Sequence, residues 1–221
     1  MSNLGASRGA PATKGIKKLG GRVATAAMEE TMESKLANPA PLGLIGFAAT
    51  TWLLSMVNAG WYDEKSLSVV LSMALAFGGT AQAIAGILSY FRGNTFATVA
   101  FISYGAFWVS FATFVRFLGG GAPASFVGWY LFGWGVFTFY MWIASFRHNM
   151  ALLLVFLTLW ITFLLLAVGE WFDLGVIHKA GGYVGLVCAL FAAYLSAAEV
   201  INGDYGRTVL PIGPYKPSPA E

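Results

Sequence analysis

Six stretches of the chain are apolar over the length a helix needs to cross a bilayer, about 20 residues. They run over 40–60, 67–91, 95–117, 126–146, 149–169 and 180–201. Short polar breaks separate them. Trp61-Tyr62-Asp63-Glu64-Lys65 ends the first stretch, and Arg92-Gly93-Asn94 divides the second from the third. Gly119-Gly120-Gly121-Ala122-Pro123 and Arg147-His148-Asn149 flank the fourth, and Glu170-Trp171-Phe172-Asp173 opens the last break. Links this short hold no separate domain. The pattern predicts an all-α membrane protein, a six-transmembrane-helix bundle over 38–202, with an N-terminal arm over 1–37 and a tail over 203–221.

Composition strengthens this reading. Only 10% of the 221 residues are charged, against about 25% in a soluble domain, so most of the surface faces lipid or other helices. Lys and Arg give the orientation. With the N-terminus inside, Arg8, Lys14, Lys17, Lys18, Arg22, Lys35, Arg92, Arg147, Arg207 and Lys216 are cytoplasmic, and only Lys65, Arg116 and Lys179 are outside. Both termini are therefore expected in the cytoplasm, with the chain multi-pass in a plasma or inner membrane. Residues 1–37 lack the apolar core of a signal peptide. They read as a solvated arm, with a short surface helix over 28–35 and a basic stretch suited to anionic headgroups. Trp61, Tyr62, Trp129, Tyr130 and Trp171 fall at the expected interfaces and read as anchors. Gly78, Gly79, Ala85 and Gly86 in the second stretch, and Gly181, Gly182, Gly185 and Ala189 in the sixth, allow close helix approach.

Candidate chemistry is sparse. No nucleophile–base pair, metal cluster or phosphate cradle is visible, which argues against an enzyme, a metal site or a cofactor. No aromatic–basic interleaving suggests nucleic acid. His148 and His178 fall in breaks on opposite sides, and Glu170 and Asp173 share an outside loop. The spans hold weakly polar side chains instead: Asn58, Thr80, Gln82, Ser103, Tyr104, Ser110, Thr138, Thr158 and Thr162. These serve as interhelical glue or line a narrow path for a weak acid. The first span opens on Asn38-Pro39-Ala40-Pro41-Leu42-Gly43-Leu44. Asn is a strong N-cap and Pro suits the first helical turn, so the helix is expected to begin sharply after Asn38. Its positive end would then face the inner mouth, where a carboxylate can dwell.

The same residues carry a family resemblance. Asn38 to Leu44 followed by Gly46-Phe47 resembles the signature of the acetate uptake transporters, which include the succinate–acetate permeases of bacteria and fungal acetate and ammonia-export proteins. Gly78-Gly79-Thr80-Ala81-Gln82, Gly93-Asn94-Thr95-Phe96, Ser103-Tyr104-Gly105-Ala106-Phe107-Trp108 and Trp134-Gly135-Val136-Phe137-Thr138 match in order. Glu199-Val200 and the stretch Gly206-Arg207-Thr208-Val209-Leu210-Pro211-Ile212-Gly213 follow. The resemblance spans about residues 36 to 213 and leaves 1–35 without a counterpart in short bacterial members.

It implies a homo-hexamer with a separate solute path in each protomer, carrying monocarboxylates, chiefly acetate, with succinate in some members. It also implies a constriction of one Phe, one Tyr and one Leu, matched here by Phe47, Tyr104 and Leu159. Trp160 follows Leu159 where bacterial members carry a small residue. The spans agree with the ring: the three residues lie about 7, 9 and 10 positions into parallel helices, roughly 11–15 Å deep at about 1.5 Å per residue. Candidates for contact with substrate or for lining the path are Asn38, Pro39, Pro41, Leu42, Gly43, Thr80, Gln82, Ser103 and Thr158. The rival readings are ammonium or ammonia export, within transport, and a non-transporting membrane sensor or scaffold.

Overall fold

The computed structural model describes residues 36–118 and 121–214. The expected arm with its surface helix, Gly119, Gly120 and Lys216 lie outside the described residues. Leu36 to Asn38 end one unit, Met1–Asn38, and every helix below belongs to the other, Pro39–Glu221. Among the described residues six helices are long and apolar enough to span a membrane: α1 (Ala40–Asn58), α2 (Glu64–Phe91), α3 (Thr95–Phe117), α4 (Ala124–Ser145), α5 (Met150–Phe172) and α6 (Gly175–Tyr205).

Local chemistry sets the boundaries. Gly60 (φ 78°) and Gly93 (φ 69°) take the left-handed conformation that closes α1 and α2. The next amides then turn back on the helix ends, Trp61 N–H to Met56 O at 3.0 Å and Asn94 N–H to Ser89 O at 3.1 Å. Asn94 Oδ1 accepts from Ala97 N–H at 2.9 Å and Asn149 Oδ1 from Leu152 N–H at 2.8 Å. Each satisfies an amide that the first helical turn leaves open. The start of α1 differs from expectation. Pro39, not Asn38, stands at the cap position, with no side-chain cap bond. Its carbonyl accepts from Leu42 N–H and Gly43 N–H at 3.1 and 3.3 Å.

The last break is shorter than expected. Helix α5 continues through Glu170 to Phe172, turns at Asp173 (φ 50°), and α6 begins at Gly175. Glu170 and His178 are therefore helical, and Glu170 Oε1 lies 3.3 Å from His178 Nδ1. At the other end α6 runs three residues past 202, to Tyr205. Residues 206–214 then fold back as a strap. Gly213 O and Ile212 O accept from Met150 N–H and Ala151 N–H at 2.9 and 3.1 Å. Tyr194 OH donates to Pro211 O at 2.7 Å.

Packing follows the small residues. Helix α6 lies between α1 and α5, and α2 between α1 and α3. A Cβ on Gly182 would strike the carbonyl carbon of Asn58 at 2.6 Å, and one on Gly105 would strike Gly79 O at 2.9 Å. Such approaches bring backbones together without help from water. The middle of α2, Ala74–Ala81, is wound as a π-helix, a rare geometry in long helices. Thr80 Oγ1 donates to Leu75 O within it, at 2.8 Å. Helix α4 packs along α5 and touches α3 mainly through aromatic side chains, such as Phe107 against Trp134 at 5.2 Å between centroids. Trp61, Tyr62 and Trp129 are exposed, as anchors should be. Tyr130 and Trp171 are not. Tyr130 turns inward to hydrogen-bond Ser110 Oγ at 2.8 Å, and Trp171 packs on Trp129 at 4.8 Å between centroids.

Candidate functional site

Two cavities lie end to end in the bundle. The smaller, about 110 Å³, opens where α1, α3 and α5 begin, between Ala40, Asn94, His148, Asn149 and Glu199. The larger, about 760 Å³, opens at the opposite end, between Asn58, Glu64, Ala122, Phe126, Glu170 and His178. The two linings share three residues: Phe47, Tyr104 and Leu159. Each sits on a different helix, is no more than 5% exposed, and stands seven, nine and nine residues past Ala40, Thr95 and Met150 respectively. The rings of Phe47 and Tyr104 meet at 5.9 Å between centroids. Phe156 and Phe137 close on Tyr104 at 6.2 and 5.1 Å. The waist is thus aromatic and aliphatic, with the Tyr104 hydroxyl as the one polar side-chain group among its three residues.

The other sequence candidates scatter. Gln82 lines the smaller cavity, and its Oε1, fully enclosed, has no hydrogen-bond partner among the described residues. Thr80 is exposed on the far side of α2, as it must be, since side chains two positions apart on a helix point to opposite sides. Ser103 and Thr158 line neither cavity. Thr158 Oγ1 is spent on Leu154 O at 2.6 Å. Pro41 acts through its carbonyl, which accepts from Ser196 Oγ at 2.8 Å and ties α6 to α1. Gly43 is a packing position, where a Cβ would strike the Phe101 ring at 2.6 Å. Leu42 is 38% exposed, Pro39 caps α1, and Asn38 lies in the preceding unit. Asn58, Ser110 and Thr162, read as weakly polar interior residues, all line the larger cavity.

Sequence reading missed the mouth of the smaller cavity. Ala40, Asn94 and Asn149 bring three helix starts to one chamber, and each helix start is the positive end of a dipole. An anion is favoured at such a mouth. The signal was present: Asn directly before an apolar stretch is an N-cap signature, and both Asn residues had been read as parts of breaks. His148 faces the same chamber, with its ring 4.4 Å from that of Phe96. Partial burial pushes its imidazole below the ordinary value, so it favours the neutral form there. The smaller cavity therefore carries one imidazole and one carboxylate, His148 and Glu199, and the larger one imidazole and two carboxylates, His178 with Glu64 and Glu170.

Comparison with known proteins agrees with this architecture. The sequence profile described as the GPR1/FUN34/yaaH family matches residues 19–214. The succinate-acetate/proton symporter SatP of Escherichia coli (strain K12) is 43% identical over 184 residues, covering 81% of this chain and 97% of SatP. Acetate permease A of Emericella nidulans is 38% identical over 205 residues, covering 84% of this chain and 68% of that protein. The solved structure of the bacterial acetate channel SatP superposes with a TM-score of 0.78 at 44% identity, covering 81% of this chain and all of that one. These relatives are transporters and channels, not enzymes. With six apolar helices, two cavities meeting at one waist and a profile match over most of its length, the chain belongs to the GPR1/FUN34/yaaH family.

Proposed function

We propose that the protein carries small monocarboxylates, chiefly acetate and with succinate as a candidate, across the membrane through each protomer, together with a proton. The observation that carries the reading is the pair of cavities that share only Phe47, Tyr104 and Leu159. A hydrated ion cannot cross such a waist without shedding its water, which costs it several kcal/mol or more. A small neutral acid loses far less. The three helix starts at the smaller cavity attract the carboxylate to that mouth, and Arg92 and Arg147 lie in the breaks at the same end. The positive-inside bias makes this end cytoplasmic, with both termini there. Kinship with a succinate-acetate/proton symporter and an acetate permease supports the same cargo.

The exposed apolar faces of α2 and α4, among them Ile84, Ile87, Phe126 and Val136, are available to lipid and to neighbouring protomers of a hexamer. The deciding experiment is uptake of labelled acetate by liposomes containing the purified full chain, with competition by other short monocarboxylates. Acetate uptake above that of protein-free liposomes is expected. Ammonium flux without acetate uptake would move the assignment to ammonium export, and binding without flux would move it to a sensor.

A further inference from the structure

The hydroxyl of Tyr104 lies 2.9 Å from Thr138 Oγ1. Thr138 in turn donates its own proton to Trp134 O at 2.7 Å. A hydroxyl has one proton to give, so the direction of the first bond is fixed: Tyr104 donates and Thr138 accepts. What the waist offers a passing solute is then the lone pair of Tyr104, not its O–H. A carboxylate can only accept, so at the Tyr104 hydroxyl it meets an oxygen and no matching proton. A carboxylic acid brings its own O–H. Packed against the Tyr104 ring are Phe47 of α1, Trp134 and Phe137 of α4 and Phe156 of α5. None of them is an Asp, Glu, Lys or Arg that would offset the mismatch.

Thr138 is fully buried and lines neither cavity. We infer that Thr138 is a positioning residue that, by drawing the Tyr104 proton away from the path, makes the waist accept the protonated acid and reject the carboxylate. The inference rests on the acid-transport reading above. It assigns the proton coupling to a residue no solute touches: the acid keeps its O–H through the waist and releases the proton on the far side.

The test uses the full chain in liposomes at fixed total acetate, with voltage clamped and protein-free liposomes subtracted. In the wild type, uptake falls about tenfold for each pH unit above the pKa of the acid, following the protonated fraction, and carries no acetate current. Thr138→Val removes the acceptor and frees the Tyr104 O–H to turn toward a carboxylate. Its uptake loses much of the pH dependence, and an acetate-dependent current appears. Thr138→Ser keeps the hydroxyl and restores wild-type behaviour. A transporting Thr138→Val protein with the wild-type pH slope and no current overturns the inference. Should that variant not fold, the wild type alone decides, because an acetate current in it overturns the inference. A wild type with no acetate uptake at all overturns the transport reading itself, whereas uptake that carries current overturns the role of Thr138 and the proton coupling but leaves acetate transport standing.

Discussion

Replacing Asn202 by Ala will loosen the start of α5, although the two are far apart in sequence. Asn202 Nδ2 donates to Leu210 O at 2.8 Å. Its Oδ1 accepts from Val209 N–H at 2.7 Å and Leu210 N–H at 2.9 Å. These bonds hold the strap, and the strap delivers Ile212 O and Gly213 O to Ala151 N–H and Met150 N–H. A net hydrogen bond stabilises by about 0.5–1.5 kcal/mol. Val209 is 41% exposed, so water replaces part of what is lost, and the low half of the range applies, about 2 kcal/mol in all. That raises the open population of the strap about thirtyfold. The Tyr194–Pro211 bond remains as a second tether. The assay is amide hydrogen exchange of the detergent-solubilised protein: Val209, Leu210, Met150 and Ala151 should exchange faster in Asn202→Ala, while amides in the middle of α5 stay unchanged. Unaltered exchange at Met150 and Ala151 would refute the coupling between the strap and the helix start.

Two glycine substitutions should separate packing from propensity. Gly182→Ala drives a methyl into the backbone at Asn58 and Ala59 and should destabilise by about 1–3 kcal/mol. Gly133→Ala, with nothing within 4 Å of the new Cβ, should be neutral or stabilising by up to about 1 kcal/mol; thermal unfolding in detergent reads both. Leu159→Ala widens the waist at a residue that faces space on two sides, so it should cost near the low end of the Leu→Ala range, about 2 kcal/mol. It should raise uptake of longer monocarboxylates relative to acetate, as competition assays would read. His148 has its imidazole held below the ordinary value of 6.5. As pH falls below 6.5 the unfolded chain takes up the proton first, so this site's stability is lost progressively down to the lowered native value and is level beneath it. His148→Gln should remove that acid-side loss, as melting temperatures at neutral and acidic pH would show.

The six spans were legible because apolar length is a strong and simple signal, and for that reason five helices begin and end within three residues of the expected positions, α6 alone running further at both ends. The last turn was misjudged because Glu170, Trp171 and Asp173 look like a loop by polarity. In the structure, Glu170 stays helical beside His178 across the turn. Phe47, Tyr104 and Leu159 were found through family resemblance and a shared depth, since their side chains alone look like ordinary packing residues. Thr80, Ser103 and Thr158 were chosen for being polar, without regard to helix face. Each already satisfies itself on its own helix or points away from the cavities. The mouth at Asn94 and Asn149 is a property of three helix starts converging in space, and no single stretch of sequence contains it.

The unequal size of the two cavities has a kinetic consequence. A chamber of about 110 Å³ holds a single small solute, so occupancy from that end saturates as at a discrete binding site. One of about 760 Å³ holds several solutes with their water and behaves more like an extension of the bulk. Vesicles of one orientation should therefore show two different half-saturation concentrations, lower when the solute is supplied at the narrow chamber. Detailed balance still forbids net movement when the driving forces on the two sides are equal.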